Sequence, residues 1–537
     1  MGRPLRIGSE PGNVAVLNAP DDPISMRIMR NIAFNAVGRL WLISTNLLLT
    51  PLILSYLGQD RFAVWALFWS LTQYFLLLDM GLGSSLVKYF SEYQSRGDAV
   101  SINRILASAL LFYLALGAVV VILLWPVVAW IASLFSIPEG LRSEAARTFQ
   151  VGLVVLFLMN LVSLFDGLLK GFQRMDLVNL TLIVVSIPNL FGSYLVLRLG
   201  WGLLGLVTVA SIVYLFQLLL LAVQAKIAYP ALAWRRQDLR FESLKALFGY
   251  GIRFQISQVS QLVSYQADKI LLGLFVPLRY VTYYDLGSKV CYLLHDLPHI
   301  MLGAVFPAAS ELAGKEDQGR LWVMFERGTK YLLLFTVPIL VGTWLTAHLI
   351  LQVWLGHVLP DIHLAIMLLS MGYWTVVSMG MVTTIGAGIG WVAPLMRVSL
   401  IQGGLNLLLS LALIVPFGYV GVLIGTTVAL ILSNGYLLVL FCQEFRRSFG
   451  DQLRQAGGIF LLNVPPAIVS LLFLGWAAGW VGEGQRGPAL LALVSFIILY
   501  ATSYLITIRL ACALDPHDWE LLGDYLPMVR VLVRKSG

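Results

Sequence analysis

Apolar stretches long enough to cross a hydrocarbon layer follow one another almost without pause from residue 30 to residue 511. About 20 apolar residues make a helix that spans a bilayer core of about 30 Å. A helix also satisfies its own backbone groups where no water can reach them. The spans read as 30–57, 62–86, 105–135, 148–169, 178–198, 203–225, 247–275, 280–307, 331–352, 362–386, 397–417, 420–442, 458–480 and 489–511. The expected fold class is therefore all-α, a polytopic membrane protein of about fourteen transmembrane helices. Composition agrees, because only 12% of residues are charged and 59% are hydrophobic. A soluble domain carries about a quarter charged residues, so this chain lacks the polar surface that water would require.

The formal charge of +8 invites a nucleic-acid reading, but its placement argues against one. With the N-terminus cytoplasmic, 26 of the 36 Lys and Arg fall in inner segments, including Lys88, Arg96, Arg104, Lys226, Arg235 and Arg240. Six fall outside: Arg61, Arg142, Arg147, Arg198, Arg279 and Arg486. Four more, Arg39, Arg253, Lys269 and Lys289, lie within spans. The positive-inside rule accounts for this asymmetry and places both termini in the cytoplasm. No nucleic-acid partner is needed.

Several chemistries find no support. The longest inner loop, around 226–246, has no room for a catalytic domain. Neither a GxxxxGK[ST] phosphate loop, an HExxH helix nor a GxSxG elbow occurs, so no enzyme is expected. Residues up to Ser25 are polar and proline-rich without an apolar h-region, which reads as a disordered lead-in and not a signal peptide. Cys291, Cys442 and Cys512 sit in or beside apolar stretches and read as small hydrophobes.

The chain contains an internal repeat. In residues 31–98, Arg39 leads to Leu57-Gly58, an aromatic-rich helix, Ser91-Glu92 and Asp98. In residues 247–317, Arg253 leads to Leu272-Gly273, another aromatic-rich helix, Ser310-Glu311 and Asp317. Glu to Asp is six residues in both copies. Arginines at matching depth in spanning helices are hard to assign to chance, since such charges are rare. The expected organisation is a cytoplasmic segment 1–25, a lobe of six helices over 26–226, a linker 227–246, a second six-helix lobe over 247–442, two extra helices over 443–511 and a cytoplasmic tail 512–537. Repeats of this kind build a central site in many secondary transporters.

The first hairpin runs from Asn35 through Pro51, Leu57-Gly58, Phe62 and Trp65 to LLLDMGLGSSLVKYFSEY, Leu76 to Tyr93. It resembles the N-terminal signature of polysaccharide-exporting flippases of the Wzx O-antigen type. These belong to the multidrug/oligosaccharidyl-lipid/polysaccharide superfamily, with the MATE drug exporters and the peptidoglycan-precursor flippase. The resemblance implies a V-shaped pair of six-helix bundles working by alternating access in a bacterial inner membrane. It implies an undecaprenyl-diphosphate-linked oligosaccharide as cargo, and no cofactor beyond coupling to a H+ or Na+ gradient. It also implies partners: membrane lipids, a polysaccharide polymerase and a chain-length regulator. Drug export and peptidoglycan-precursor flipping are the sister alternatives. A membrane-embedded glycan polymerase or ligase is less compatible with the short loops.

An intramembrane charge costs about 2.5–3.5 kcal/mol on insertion scales, so each needs a reason. Lys289 lies about 14 Å into the eighth span, near the midplane. Arg39 and Arg253 lie about 27 Å from the outer helix ends, in the inner half. Guanidinium groups bond phosphate oxygens in pairs, so these three cations are the expected grip on a diphosphate, against a bland alternative of snorkelling. Lys289 also stands four residues from Asp285 and can simply pair with it. Arg253, Ser257, Gln261, Ser264 and Asp268 share one helical face, lining a hydrated cavity or a helix seam. Asn35 belongs to a sparser stripe on the first span. Tyr284 and Tyr292 on the eighth are expected to stack on sugar rings. Asp268 and Asp285 are candidates for a coupling cation, although Asp268 and Lys269 also read as a surface pair. Asp79 is expected to act conformationally, near Lys88. His295 and His299 have metal spacing but no third ligand, so no metal site is expected.

Overall fold

The computed structural model describes residues 24–299, 302 and 305–511. Side chains at 24–37, 236, 253–254, 256–257 and 296–299 lie outside the described residues. Every described element is helical. The chain forms two compact units, and the division falls between Val259 and Ser260.

The first unit contains α1 (Ile24–Leu76), α2 (Leu82–Ser95), α3 (Ala99–Leu124), α4 (Val128–Leu134), α5 (Glu139–Gly171), α6 (Met175–Arg198) and α7 (Gly202–Ala228). It also takes the N-terminal half of α8 (Phe241–Phe275). Its core is built where α2, α3, α5 and α7 meet, from Leu82, Phe90, Ile105, Tyr113, Leu164 and Leu221.

The second unit contains the rest of α8, then α9 (Arg279–His299), α10 (Val305–Gly314), α11 (Gln318–Leu355), α12 (Pro360–Ser378) and α13 (Gly380–Gly388). It ends with α14 (Val392–Glu444), α15 (Phe449–Leu462), α16 (Val464–Ala477) and α17 (Arg486–Leu510).

Ten of the described helical segments are long and apolar enough to cross a membrane. Two of these, in α1 and α14, each serve two of the expected spans. Each of the two helices runs for 53 residues, which would be about 80 Å if straight, more than twice a bilayer core. A glycine interrupts each: Gly58 at φ 73° and Gly418 at φ 55°. Only glycine enters that region without steric cost. Past Gly418 the chain folds back on itself, since a Cβ on Gly425 would come 2.8 Å from the backbone nitrogen of Ser410. The seventh and eighth spans are α8 and α9, whose polar side chains keep them outside the ten. All-α, polytopic architecture is thus observed. Its outer coat is apolar, with Val415 82% and Leu472 72% exposed, as lipid-facing side chains must be.

Several expected spans are divided. The second, 62–86, stops at Leu76, because Asp79 accepts bonds from the Gly81 nitrogen at 2.8 Å and the Gly83 nitrogen at 3.3 Å and starts a new helix. The third, 105–135, divides into α3 and α4, the tenth, 362–386, into α12 and α13, and the thirteenth, 458–480, between α15 and α16; of the eighth, 280–307, α9 is described to His299 and α10 from Val305.

The two copies of the sequence repeat have the same local geometry where each hairpin ends. In the first, Glu92 pairs with Arg96 at 2.7 Å, and Asp98 caps α3 by accepting from the Ser101 nitrogen at 3.0 Å. In the second, Glu311 pairs with Lys315 at 2.6 Å, and Asp317 caps α11 by accepting from the Arg320 nitrogen at 3.0 Å. Gly171 lies against α2, where a Cβ would stand 2.7 Å from Phe90 Cβ and 3.1 Å from the Val87 oxygen. Gly388 lies against α10 in the same way, 2.8 Å from Ala309 Cβ and 3.1 Å from the Phe306 oxygen.

Residues 241–259 of α8 pack with the first unit. Ser85 donates to the Leu247 oxygen at 2.7 Å and Gln255 to the Leu77 oxygen at 2.6 Å. Gly81 and Gly251 meet backbone to backbone, so a Cβ on Gly81 would lie within 2.4 Å of the Gly251 oxygen.

Candidate functional site

The most polar interior of the second unit lies where the C-terminal half of α8 meets α9, α12 and both arms of α14. On α8, Ser260, Ser264 and Asp268 recur every four residues and so share a face. Ser260 donates to the Ser399 oxygen of α14, and Gly403 presses on Ser260. Ser264 donates to the Ser260 oxygen at 3.0 Å. The stripe is therefore a helix seam at this level.

Asp268 ends that stripe, fully buried. Three hydroxyls converge on its carboxylate: Tyr284 from α9 at 2.5 Å, Thr426 at 2.6 Å and Ser410 at 3.1 Å. The last two come from opposite arms of the α14 hairpin. Asn406, one turn before Ser410, is fully buried and turns its amide toward the carboxylate. A buried carboxylate is tolerated where donors replace its water, and here three do so.

One residue along from Asp268, a second set of charges is buried. The Asp285 carboxylate is shared by two ammonium groups, Lys269 on Oδ1 at 2.7 Å and Lys289 on Oδ2 at 2.8 Å. The Lys269 side chain is 9% exposed and that of Lys289 32%. Lys269 is locked in, whereas the Lys289 side chain keeps part of its surface accessible. Two cations share one anion, so the set is net positive. Next to these lies an aromatic group: Tyr292 packs on Tyr373 at a centroid distance of 5.2 Å, and Tyr265 stacks on Tyr373 at 5.7 Å.

Several sequence expectations change in this light. Asp268 and Lys269 are not a surface pair: both are buried, and Lys269 bonds Asp285 across to α9. The α14 hairpin covers a depth that the helix ends alone made look exposed. Tyr284 has no exposed surface and its hydroxyl is held by Asp268, so its ring offers no face to a sugar. Asp79 serves its own backbone turn, while Lys88 stands 4.4 Å from the ring centres of Tyr89 and Tyr250. Gln261 and Arg39 are exposed. The side chains of Asn35, Arg253, Ser257 and His299 lie outside the described residues, as does Cys512. Lys289 and Asp285 make the i, i+4 pair that their spacing allows.

Sequence reasoning missed Asn406, Ser410 and Thr426. Asn406 and Ser410 do share a helical face, four residues apart, and this was the available signal. Among the described residues, no three His, Cys, Asp or Glu come together to hold a metal ion.

The comparisons with known proteins agree with the architecture. The chain is similar to the uncharacterized membrane protein EpsK of Bacillus subtilis (strain 168), with 22% identity over 446 residues covering 78% of this chain and 83% of that protein. Among solved structures it resembles an inward-facing multidrug resistance MATE family transporter of the MOP superfamily, with TM-score 0.66 and 17% identity over 76% of this chain and 94% of the other. It equally resembles the lipid II flippase MurJ in an inward closed conformation, with TM-score 0.66 and 16% identity over 89% of this chain and 99% of the other. At these identities the structural likeness speaks for the fold. The model of the polysaccharide biosynthesis protein family matches residues 56–361, more than half of the chain, and the protein belongs to that family.

Proposed function

We propose that this protein is a flippase that carries an undecaprenyl-diphosphate-linked oligosaccharide from the cytoplasmic to the outer leaflet of a bacterial inner membrane. The buried net-positive set Lys269–Asp285–Lys289, inside a bundle coated with apolar side chains, supports this reading most directly. Each such charge is costly in hydrocarbon, and a site that receives an anionic headgroup gives it a use. Lys289 is the reachable member. An arriving diphosphate competes with Asp285 for its ammonium, and Lys269 keeps Asp285 compensated meanwhile. Arg39 and Arg253, one from each repeat copy, are the proposed further contacts to phosphate. The remaining expected contacts, Asn35, Gln261 and Tyr292, belong to the glycan path.

Asp268 is the proposed position of the coupling cation. Its surrounding hydroxyls donate to an empty carboxylate, and the same oxygens turn to accept when Na+ or a proton neutralises it. Those oxygens come from α9 and both arms of α14, and the carboxylate from α8. A cation there changes the bonds that hold three helices together, and so favours one packing over another.

A second reading is export of small molecules, supported by the shared fold and by the Tyr265–Tyr292–Tyr373 group. Flipping of the peptidoglycan precursor is a third. Deleting the gene and analysing lipid-linked glycans separates them. Undecaprenyl-diphosphate repeat units trapped on the cytoplasmic leaflet are expected. A normal surface glycan with new drug sensitivity would instead support the exporter, and loss of cell-wall precursor at the outer leaflet the third reading.

A further inference from the structure

A cavity of about 440 Å³ opens in the first unit where four helices end or reverse. Tyr56 reaches it from just before the Gly58 reversal, Glu144 and Arg147 from the first turns of α5, and Trp201 from the turn between α6 and α7. Arg61 completes the polar wall. We propose that this cavity is a binding site for the phosphodiester headgroup of an anionic glycerophospholipid.

The charges favour an anion. Arg61 bonds Glu144 Oε2 through its Nε at 3.0 Å, which leaves its terminal nitrogens for another acceptor. The other oxygen of Glu144 accepts from the Leu203 nitrogen at 3.4 Å, so the carboxylate is occupied on both sides. Arg147 is exposed and has no ion-pair partner among the described residues. The site therefore holds two guanidinium groups against one committed carboxylate. That surplus of one positive charge matches a monoanionic phosphodiester, whose oxygens suit paired N–H donors.

The surroundings favour a lipid over a soluble phosphate. From Leu204, which lines the cavity, exposed apolar residues continue along the same side of α7 through Ile212, Leu215 and Leu219, 39%, 61%, 47% and 57% exposed. This is a strip on which acyl chains lie once the headgroup is seated above. Tyr56 and Trp201, 47% and 60% exposed, flank the opening. Such amphipathic rings settle at headgroup level. A free anion would use the arginines and leave the strip without a role. The cavity belongs to the first unit, shares no residue with the Asp268 and Asp285 groups and does not depend on the cargo proposed above.

The test is native mass spectrometry of the purified full-length protein with phosphatidylglycerol and phosphatidylcholine of identical acyl chains, with glycerol 3-phosphate as soluble competitor. Wild type should retain phosphatidylglycerol in preference. Arg147→Gln should lower that retention about fivefold, the effect of one surface cation, and leave phosphatidylcholine unchanged. Arg147→Lys should restore part of the preference, which separates charge from any effect on folding. Equal retention of both lipids, or an unchanged preference in Arg147→Gln, overturns the proposal. Displacement by glycerol 3-phosphate as effective as by lipid also overturns it, and marks a site for free phosphate.

Discussion

Lys269 on α8 and Asp285 on α9 form a 2.7 Å ion pair with both side chains almost wholly removed from solvent. The pair ties together the two spans with the least apolar character, and Lys289 joins it from the same helix as Asp285. Removing one partner of a buried pair strands the other, at a cost of about 3–5 kcal/mol.

A rank order of stability follows. Asp285→Ala strands two ammonium groups and should be the most damaging substitution, by about 3–5 kcal/mol. Lys269→Met leaves Asp285 paired with Lys289 and should cost less. Lys289→Met should cost least, because its side chain is partly exposed, yet it should reduce glycan export the most relative to its effect on folding. Thermal melts of the solubilised protein set beside surface-glycan assays check this order. Equal export by Lys289→Met and wild type would remove Lys289 from the cargo site.

Asp268→Asn tests the cation position. The amide is nearly isosteric, so Tyr284, Ser410 and Thr426 keep a neighbour of the same shape, but the charge that would draw a cation is gone. The variant should fold, and its transport in proteoliposomes should no longer respond to an imposed Na+ or H+ gradient. A gradient response equal to wild type would place coupling elsewhere.

The spans were legible because hydropathy is a local property, and the repeat because its Glu92–Asp98 and Glu311–Asp317 spacing encodes an ion pair followed by a helix cap. The Asp285–Lys289 pair was legible for the same reason, lying one turn apart on one helix. The rest of the site was not. Ser410 and Thr426 stand 142 and 158 residues from Asp268, and nothing local announces the hairpin that brings them there. Thr426 also donates to the Val422 oxygen at 2.9 Å, the ordinary habit of a helical threonine, which hides its second role. Depth measured from helix ends misplaced Asp268 and Lys269, because it takes no account of which neighbour covers them.

Gly171 and Gly388 are required by close approach and not by helix conformation. A methyl group at either would press on the backbone of the neighbouring helix at 3.1 Å. Gly171→Ala and Gly388→Ala should each destabilise by about 1–3 kcal/mol, as overpacking does. Gly435 sits in α14 with nothing within 4 Å of its added Cβ. Gly435→Ala should be neutral or stabilising by up to about 1 kcal/mol, from helix propensity alone. Melting temperatures of the three variants decide this. A uniform response would mean that helix propensity, and not interhelical contact, governs all three.

The cap at Asp98 makes stability depend on pH outside the membrane. The Ser101 hydroxyl at 2.5 Å and the Ser101 N–H at 3.0 Å both bond the carboxylate and hold its pKa below the usual range. A carboxyl with a lowered pKa in the folded state contributes stability that is present above its unfolded value, about 3.9, and is lost as pH falls through the folded value. Asp98→Ala should cost about 1 kcal/mol at neutral pH, the ordinary worth of an N-cap. The gap between wild type and Asp98→Ala should then narrow as the solubilised protein is melted at progressively lower pH below about 4. Asp98→Asn keeps an acceptor for the Ser101 nitrogen without the charge, so it should fall between the two at pH 7 and show no such narrowing against Asp98→Ala. A gap between wild type and Asp98→Ala that stays constant down to pH 3 would show that the cap works by hydrogen-bond geometry alone.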